Sequence, residues 1–177
     1  STGVAISGAC LSGATVNVFE GASTLCSATC MASTFQCMII LGEGSHTIAA
    51  QQSQGGTSSA SQPRTFVVDT QSPLAPVILS PQSGATRQTT PTFSGTGEAN
   101  ATLRVRQQNG DVLCMTTVLV SGTWSCVSAT LAEGPYIVRA LQIDRAGNAG
   151  TESVAIALQI DTTPPNAPTI AAPLQGS

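Results

Sequence analysis

This chain contains no lysine. All six of its basic residues are arginine, set against nine acidic residues and one histidine in 177 residues. The net charge of −3 is small and scattered, which argues against nucleic acid or an anionic membrane as a partner. Charged residues make up 8% and aromatic residues 3%, so packing must come from small and β-branched side chains. No stretch of eighteen apolar residues exists to cross a bilayer as a helix. There is no signal-peptide pattern, and the abrupt start at Ser1 suits a mature or excised fragment. His46 is the only histidine and no Gly-x-Ser-x-Gly elbow accompanies it, so no nucleophilic triad is in view and the chain does not read as an enzyme. No segment carries a convincing 3.6-residue period.

What is present is repetition. Residues 69–78 read Asp-Thr-Gln-Ser-Pro-Leu-Ala-Pro-Val-Ile, and 92 positions later residues 161–170 read Asp-Thr-Thr-Pro-Pro-Asn-Ala-Pro-Thr-Ile. Between these joints the two halves align. Ile6-Ser7-Gly8 matches Phe93-Ser94-Gly95, Phe35-Gln36-Cys37 matches Trp124-Ser125-Cys126, and Glu43-Gly44 matches Glu133-Gly134. His46 through Ala50 matches Tyr136 through Ala140. The segments are short and alternate. Leu103 and Val105 are flanked by Thr102, Arg104 and Arg106, and Val154, Ile156, Leu158 and Ile160 fall on one face. About seven such strands per repeat, with Gly-rich turns, predict all-β tandem sandwiches. Phe35 and Trp124 are expected as core plugs, and His46 as a packed or hydrogen-bonded strand residue. Leu141 and Ile143 should face outward if Tyr136, Val138 and Ala140 face inward.

The six cysteines follow the repeat. Cys26 is equivalent to Cys114 and Cys37 to Cys126, and each pair flanks a reversal, around 32–34 and 121–123. The simplest pairing is Cys26–Cys37 and Cys114–Cys126, each closing about a dozen residues and contributing roughly 3 kcal/mol in the chain-entropy model. Cys10 and Cys30 should meet at one pole of the first repeat as a third bridge. The competing reading is a zinc site from Cys10, Cys26, Cys30 and Cys37, with His46. It is disfavoured because the second repeat keeps two of these cysteines without the others. Paired cysteines place the chain in an oxidising, extracellular compartment.

The string from Ser94 to Val105 (Ser-Gly-Thr-Gly-Glu-Ala-Asn-Ala-Thr-Leu-Arg-Val) resembles bacterial immunoglobulin-like repeats. So do Gly134–Ala140, Asp144-Arg145-Ala146-Gly147-Asn148 and the joint at 161–168. Repeats of that family build large adhesins and biofilm-associated surface proteins. The likeness covers about 71–170 well and 4–70 more loosely. Gln51 to Gly56 replaces the Asp-x-Ala-Gly-Asn turn, and the cysteines are additions to the usual pattern. The resemblance implies an extracellular stalk or fibre segment, with neighbouring repeats as partners. It also raises calcium at the junctions, with Asp69, Asp144 and Asp161 as weak candidates against the plainer role of turn capping. A carbohydrate-binding module is a further alternative.

The frame of the repeat is offset. The expected domains are 1–70, 71–162, and an opening strand of a further repeat in 163–177. The first repeat has no counterpart of 75–84 before Val4, whereas Ala167, Pro168, Thr169, Ile170 and Ala171 supply a spare one. Either the chain is a window of a longer array, or this tail fills the open edge of an identical subunit head to tail, making a filament.

Overall fold

A computed structural model describes residues 3–171. It holds no helix among those residues, and contacts divide the chain into two compact units, Ser1–Gln71 and Ser72–Ser177.

The first unit has seven strands: β1 (Gly3–Ala9), β2 (Thr15–Glu20), β3 (Ser23–Thr29), β4 (Thr34–Ile40), β5 (Gly44–Gln54), β6 (Thr57–Ala60) and β7 (Arg64–Val68). One sheet is the pair β1–β4; the other runs β3-β2-β5-β6, with β7 also pairing β5. Val16 and Val18 on β2 and Phe35 on β4 point between the sheets and are buried, as the alternation of apolar positions requires. The core is split into two clusters, one around Phe35 and Ile48 and one around Ile39, Leu41 and Val68.

The second unit has eight strands: β8 (Val77–Ser80), β9 (Gly84–Thr86), β10 (Thr92–Thr96), β11 (Thr102–Gln107), β12 (Val112–Thr117), β13 (Thr123–Val127), β14 (Gly134–Ile143) and β15 (Ile156–Ile160). Its sheets run β13-β10-β8 and β12-β11-β14-β15-β9. A single apolar cluster fills it, with Phe93, Leu103, Val105, Trp124, Val138 and Ile160 nearly sealed from water. This is an immunoglobulin-like sandwich in which β8 and β9 close the two sheets along one side. Among the described residues the first unit has no counterpart of either strand.

Two local features depart from the sequence pattern. Val154 was expected on the inward face of the last strand, but that strand starts at Ile156 and Val154 is 88% exposed. Ser153 takes the inward place instead: its hydroxyl accepts the Ala140 N–H and its own N–H donates to the Ala140 carbonyl. The parity of the chain is therefore reversed just before β15. At the β3–β4 reversal, Met31 and Thr34 exchange both backbone hydrogen bonds across Ala32 and Ser33, whose φ values are +49° and +63°. Left-handed backbone at two successive non-glycine residues costs free energy. The Cys10 N–H, donating to the Ser33 carbonyl, helps to hold it there.

Candidate functional sites: two chain exits and an open edge

All six cysteines are paired: Cys10–Cys30, Cys26–Cys37 and Cys114–Cys126. Cys26 lies on β3 and Cys37 on β4, each at the margin of a different sheet; Cys114 on β12 and Cys126 on β13 repeat this. Each of these bridges ties two sheets together along the side where no backbone ladder joins them. Phe35 and Trp124 lie beside them in the cores, the latter donating its indole N–H to the Thr96 carbonyl.

The two joints have the same internal structure. Strand pairing sets Gly44 opposite Val68 and Gly134 opposite Ile160. The glutamate preceding each glycine therefore lies beside the residues that follow the last strand. Glu43 accepts hydrogen bonds from the N–H and hydroxyl of Thr70. Glu133 accepts from the hydroxyls of Thr162 and Thr163. Asp69 and Asp161 each cap the N–H two residues on, at Gln71 and Thr163. The hydroxyl of Thr163, then that of Thr162, holds the Glu133 carboxyl below its ordinary pKa. The sequence places Glu43 and Glu133 near the joints, by the Glu-Gly recurring in both repeats, but does not identify Thr70, Thr162 and Thr163 as their partners.

Asp144 belongs to a turn. It accepts from the N–H groups of Gly147 and Asn148 and from the Asn148 side-chain amide. Burial on its own would raise this carboxyl, but the bonds from Asn148, Gly147 and Ala146 outweigh it and lower the pKa. Among the described residues no three His, Cys, Asp or Glu side chains converge as a metal site would need. His46 sits between two acceptors. Its Nε2 lies 2.9 Å from the Gly42 carbonyl and its Nδ1 2.9 Å from Glu20. The Gly42 carbonyl does most to raise its pKa; partial burial opposes this and Glu20 adds to it. Leu141 and Ile143 are half-buried on the opposite face of β14 from Val138 and Ala140.

The third feature is the difference between the two units at one edge. In the second unit β8 lies along β10, with Gly95 opposite Ile78 and Thr96 opposite Val77. Ile78 packs on the core, and Pro73 and Pro76 of the joint are buried. Gly95 must be glycine: an added Cβ would strike the Val77 carbonyl and come within 2.9 Å of the Trp124 ring. Gln142 is buried and bridges the same segment, its side-chain oxygen accepting from Glu98 N–H and its amide donating to the Leu74 carbonyl at 2.6 Å. In the first unit the equivalent edge, β1, has no outer partner among the described residues, and Ile6, where Phe93 is sealed, is only half-buried. A cleft of about 600 Å³ opens there between the sheets, lined by Ile6, Gly8, Phe35, Ile48, Ala50 and Gln52 among others. Residues 163–171 are exposed and form no strand, with Ile170 90% exposed; residues 172–177 of the expected further strand lie outside the described residues.

Comparison with known proteins agrees with this architecture. The fibronectin(III)-like modules of Clostridium thermocellum CbhA superpose with a TM-score of 0.58 at 14% identity, covering 89% of this chain and 85% of theirs. That likeness speaks for the fold alone. The BSP domain of a biofilm associated protein overlaps with a TM-score of 0.42 at 21% identity, covering 90% of this chain and 28% of that one. The D0–D1 domain of intimin overlaps with a TM-score of 0.33 at 11% identity, covering 90% and 91%. No curated protein matches the chain. The family match is to one segment: residues 80–162, which carry β9 to β15, match the model of the bacterial Ig-like domain family.

Proposed function

We propose that this chain is a structural segment of an extracellular bacterial surface protein, a stalk or fibre element built from Ig-like repeats. The observation that carries the reading is the recurrence, in both units, of one mechanical design. A disulfide joins the two sheets at their free margins, and a glutamate holds the chain where it leaves the last strand. A staple between sheets resists their separation, and a fixed exit with proline-bearing residues after it limits bending. Neither device supplies chemistry; both suit a part that transmits tension. Three disulfides, with no free cysteine among the described residues, support an oxidising location outside the cell.

Single-molecule pulling on the chain tests this. Each unit should rupture as one cooperative event. Reduction should lengthen the second unit's extension by the loop held between Cys114 and Cys126, whose separation of 12 residues corresponds to about 4 nm of extended chain. Gradual yielding without a rupture event, in oxidised and reduced chain alike, would remove the mechanical reading.

A further inference from the structure

We propose that Met31, Met38 and Met115 are sites of sulfoxide formation that take up hypochlorous acid ahead of the disulfides, and that the fold carries the product without loss. The inference goes beyond the mechanical reading and does not depend on it. A chain that proved weak under tension would leave it standing.

The placement of methionine carries it. The sequence has three methionines, and each directly follows a paired cysteine: Cys30-Met31, Cys37-Met38 and Cys114-Met115. The cysteines belong to three different bridges, so every disulfide has one thioether next to it in the chain. The repeat does not account for this. Met38 follows the second cysteine of its bridge and Met115 the first of its own, and the aligned positions hold Val127 and Ser27.

The bridges also fix where these side chains point. Successive residues of a strand face opposite sides of its sheet. Cys37 pairs with Ile6 and Cys114 with Val105, and both cysteines pack on the cores. Met38 and Met115, one step on, pair with exposed Ala5 and Arg104 and are turned out. Cys30 is buried, and Met31 after it opens the reversal into β4. Met115 is 60%, Met38 61% and Met31 73% exposed, although methionine is ordinarily a buried residue. That exposure does not depend on the open edge of the first unit. Val127 takes the place of Met38 in the second unit and is 61% exposed with β8 in position. Leu119 and Val120, at the second unit's reversal, are exposed as Met31 is.

Little else in the chain competes for this oxidant. Hypochlorous acid attacks thiols, thioethers, amines, and imidazole and indole rings. The sequence has no lysine, and the described residues hold no free cysteine. Trp124 is sealed in its core, and His46 is largely covered with both ring nitrogens engaged. The thioethers are the reactive groups that solvent reaches first.

The step needs no cofactor. A lone pair of the thioether sulfur takes chlorine from hypochlorous acid, and hydroxide leaves. Water then gives its oxygen to the sulfur as chloride departs. One thioether and one hypochlorous acid become one sulfoxide, one chloride and one proton, and the electron pair that sulfur gives up is the pair that chlorine takes. A sulfoxide is polar and disrupts a core that must hold it. None of these methionines belongs to an apolar cluster, so the new oxygen stays in water.

The test titrates the full chain with hypochlorous acid and maps the products by peptide mass spectrometry. Roughly the first three equivalents should appear as one oxygen atom on each methionine, with the bridges and Trp124 unmodified. The urea midpoint of the Trp124 transition should stay where it was. The comparison is the triple variant Met31→Leu, Met38→Leu, Met115→Leu, which changes exposed side chains only. At the same dose its bridges and Trp124 should be oxidised about tenfold more than those of the wild-type chain. The wild-type titration decides the order of attack whether or not the variant folds. Bridges or Trp124 oxidised before the methionines, a midpoint that falls as the sulfoxides form, or equal damage in variant and wild type would each overturn the proposal.

Discussion

Gly95→Ala tests how β8 closes the second unit. The added methyl group points between the Val77 carbonyl and the Trp124 ring. A ring gives way by a few tenths of an ångström at modest cost; a backbone carbonyl held in a ladder does not, so β8 must lift. What is lost follows from the pairing. Three residue pairs join β8 to β10, and their backbone hydrogen bonds contribute roughly 1 kcal/mol each. Half-buried Ile78 adds about 1 kcal/mol. The expected loss is about 4 kcal/mol. Trp124 is the single tryptophan and lies in the second unit, so its fluorescence in urea follows that unit alone. With a denaturant slope of about 1.3 kcal/mol per molar for a domain of this size, the midpoint should fall by about 3 M. Gly8→Ala is the control. Its new methyl group meets only the Phe35 ring, so it should cost the first unit about 1–2 kcal/mol and leave the Trp124 transition where it was. A Gly95→Ala midpoint within half a molar of wild type (~0.5 M, less than one hydrogen bond) would refute the reasoning, because β8 would then not depend on that approach.

Replacing Cys114 and Cys126 together by alanine should cost the second unit about 3 kcal/mol, from the 12-residue separation that the bridge spans; a Trp124 midpoint unmoved by this or by reductant would count against the staple. His46 has a raised pKa, so its contribution to the first unit is complete below pH 6.5, the unfolded value, and is lost as pH rises through the folded value. Glu20→Gln removes one of the groups that raise it, and NMR titration of the single imidazole should move to lower pH; an unchanged titration would refute the role given to Glu20. Glu133 is shifted the other way. Its contribution is present above the unfolded value of 4.5 and disappears as pH falls through the folded one, and Thr163→Val should bring its titration back up.

Much of the fold was legible because sandwich strands write their burial locally. Leu103 and Val105 alternate with polar neighbours and are sealed in the core. The repeat supplied what alternation could not, by pairing equivalent cysteines and aromatics across the two halves. Where reading failed, the cause was a partner distant in sequence. Val154 fits the apolar period, yet Ser153 displaces it by bonding to Ala140 on another strand. Gln142 shares the inward parity of Val138 and Ala140, but alternation could not name what satisfies a buried amide there: Glu98 and Leu74, 44 and 68 positions away, do so. Ala32 and Ser33 carry no turn signature for φ above zero, and it is the closure between Met31 and Thr34 that sets them there.

The joint motif shows why local pattern and site part company. Asp-Thr is fixed in both copies: its aspartate accepts the N–H two residues on, and the glutamate just before the neighbouring strand accepts from its threonine hydroxyl, so its conformation belongs to the unit that it leaves. The residues after it behave differently. Pro73, Pro76 and Ile78 are covered because an open sheet edge, a glycine and a glutamine amide face them; Pro165, Pro168 and Ile170 repeat the pattern and are bare. In the first unit that edge exists, with Gly8 and Gln52 in the equivalent places and no strand upon it among the described residues. An unpaired edge with an apolar cleft behind it exposes both hydrogen-bonding backbone and hydrophobic surface, the two terms that drive strand addition. Supply of a matching strand should then stabilise the first unit and leave the second, already closed by β8, unchanged.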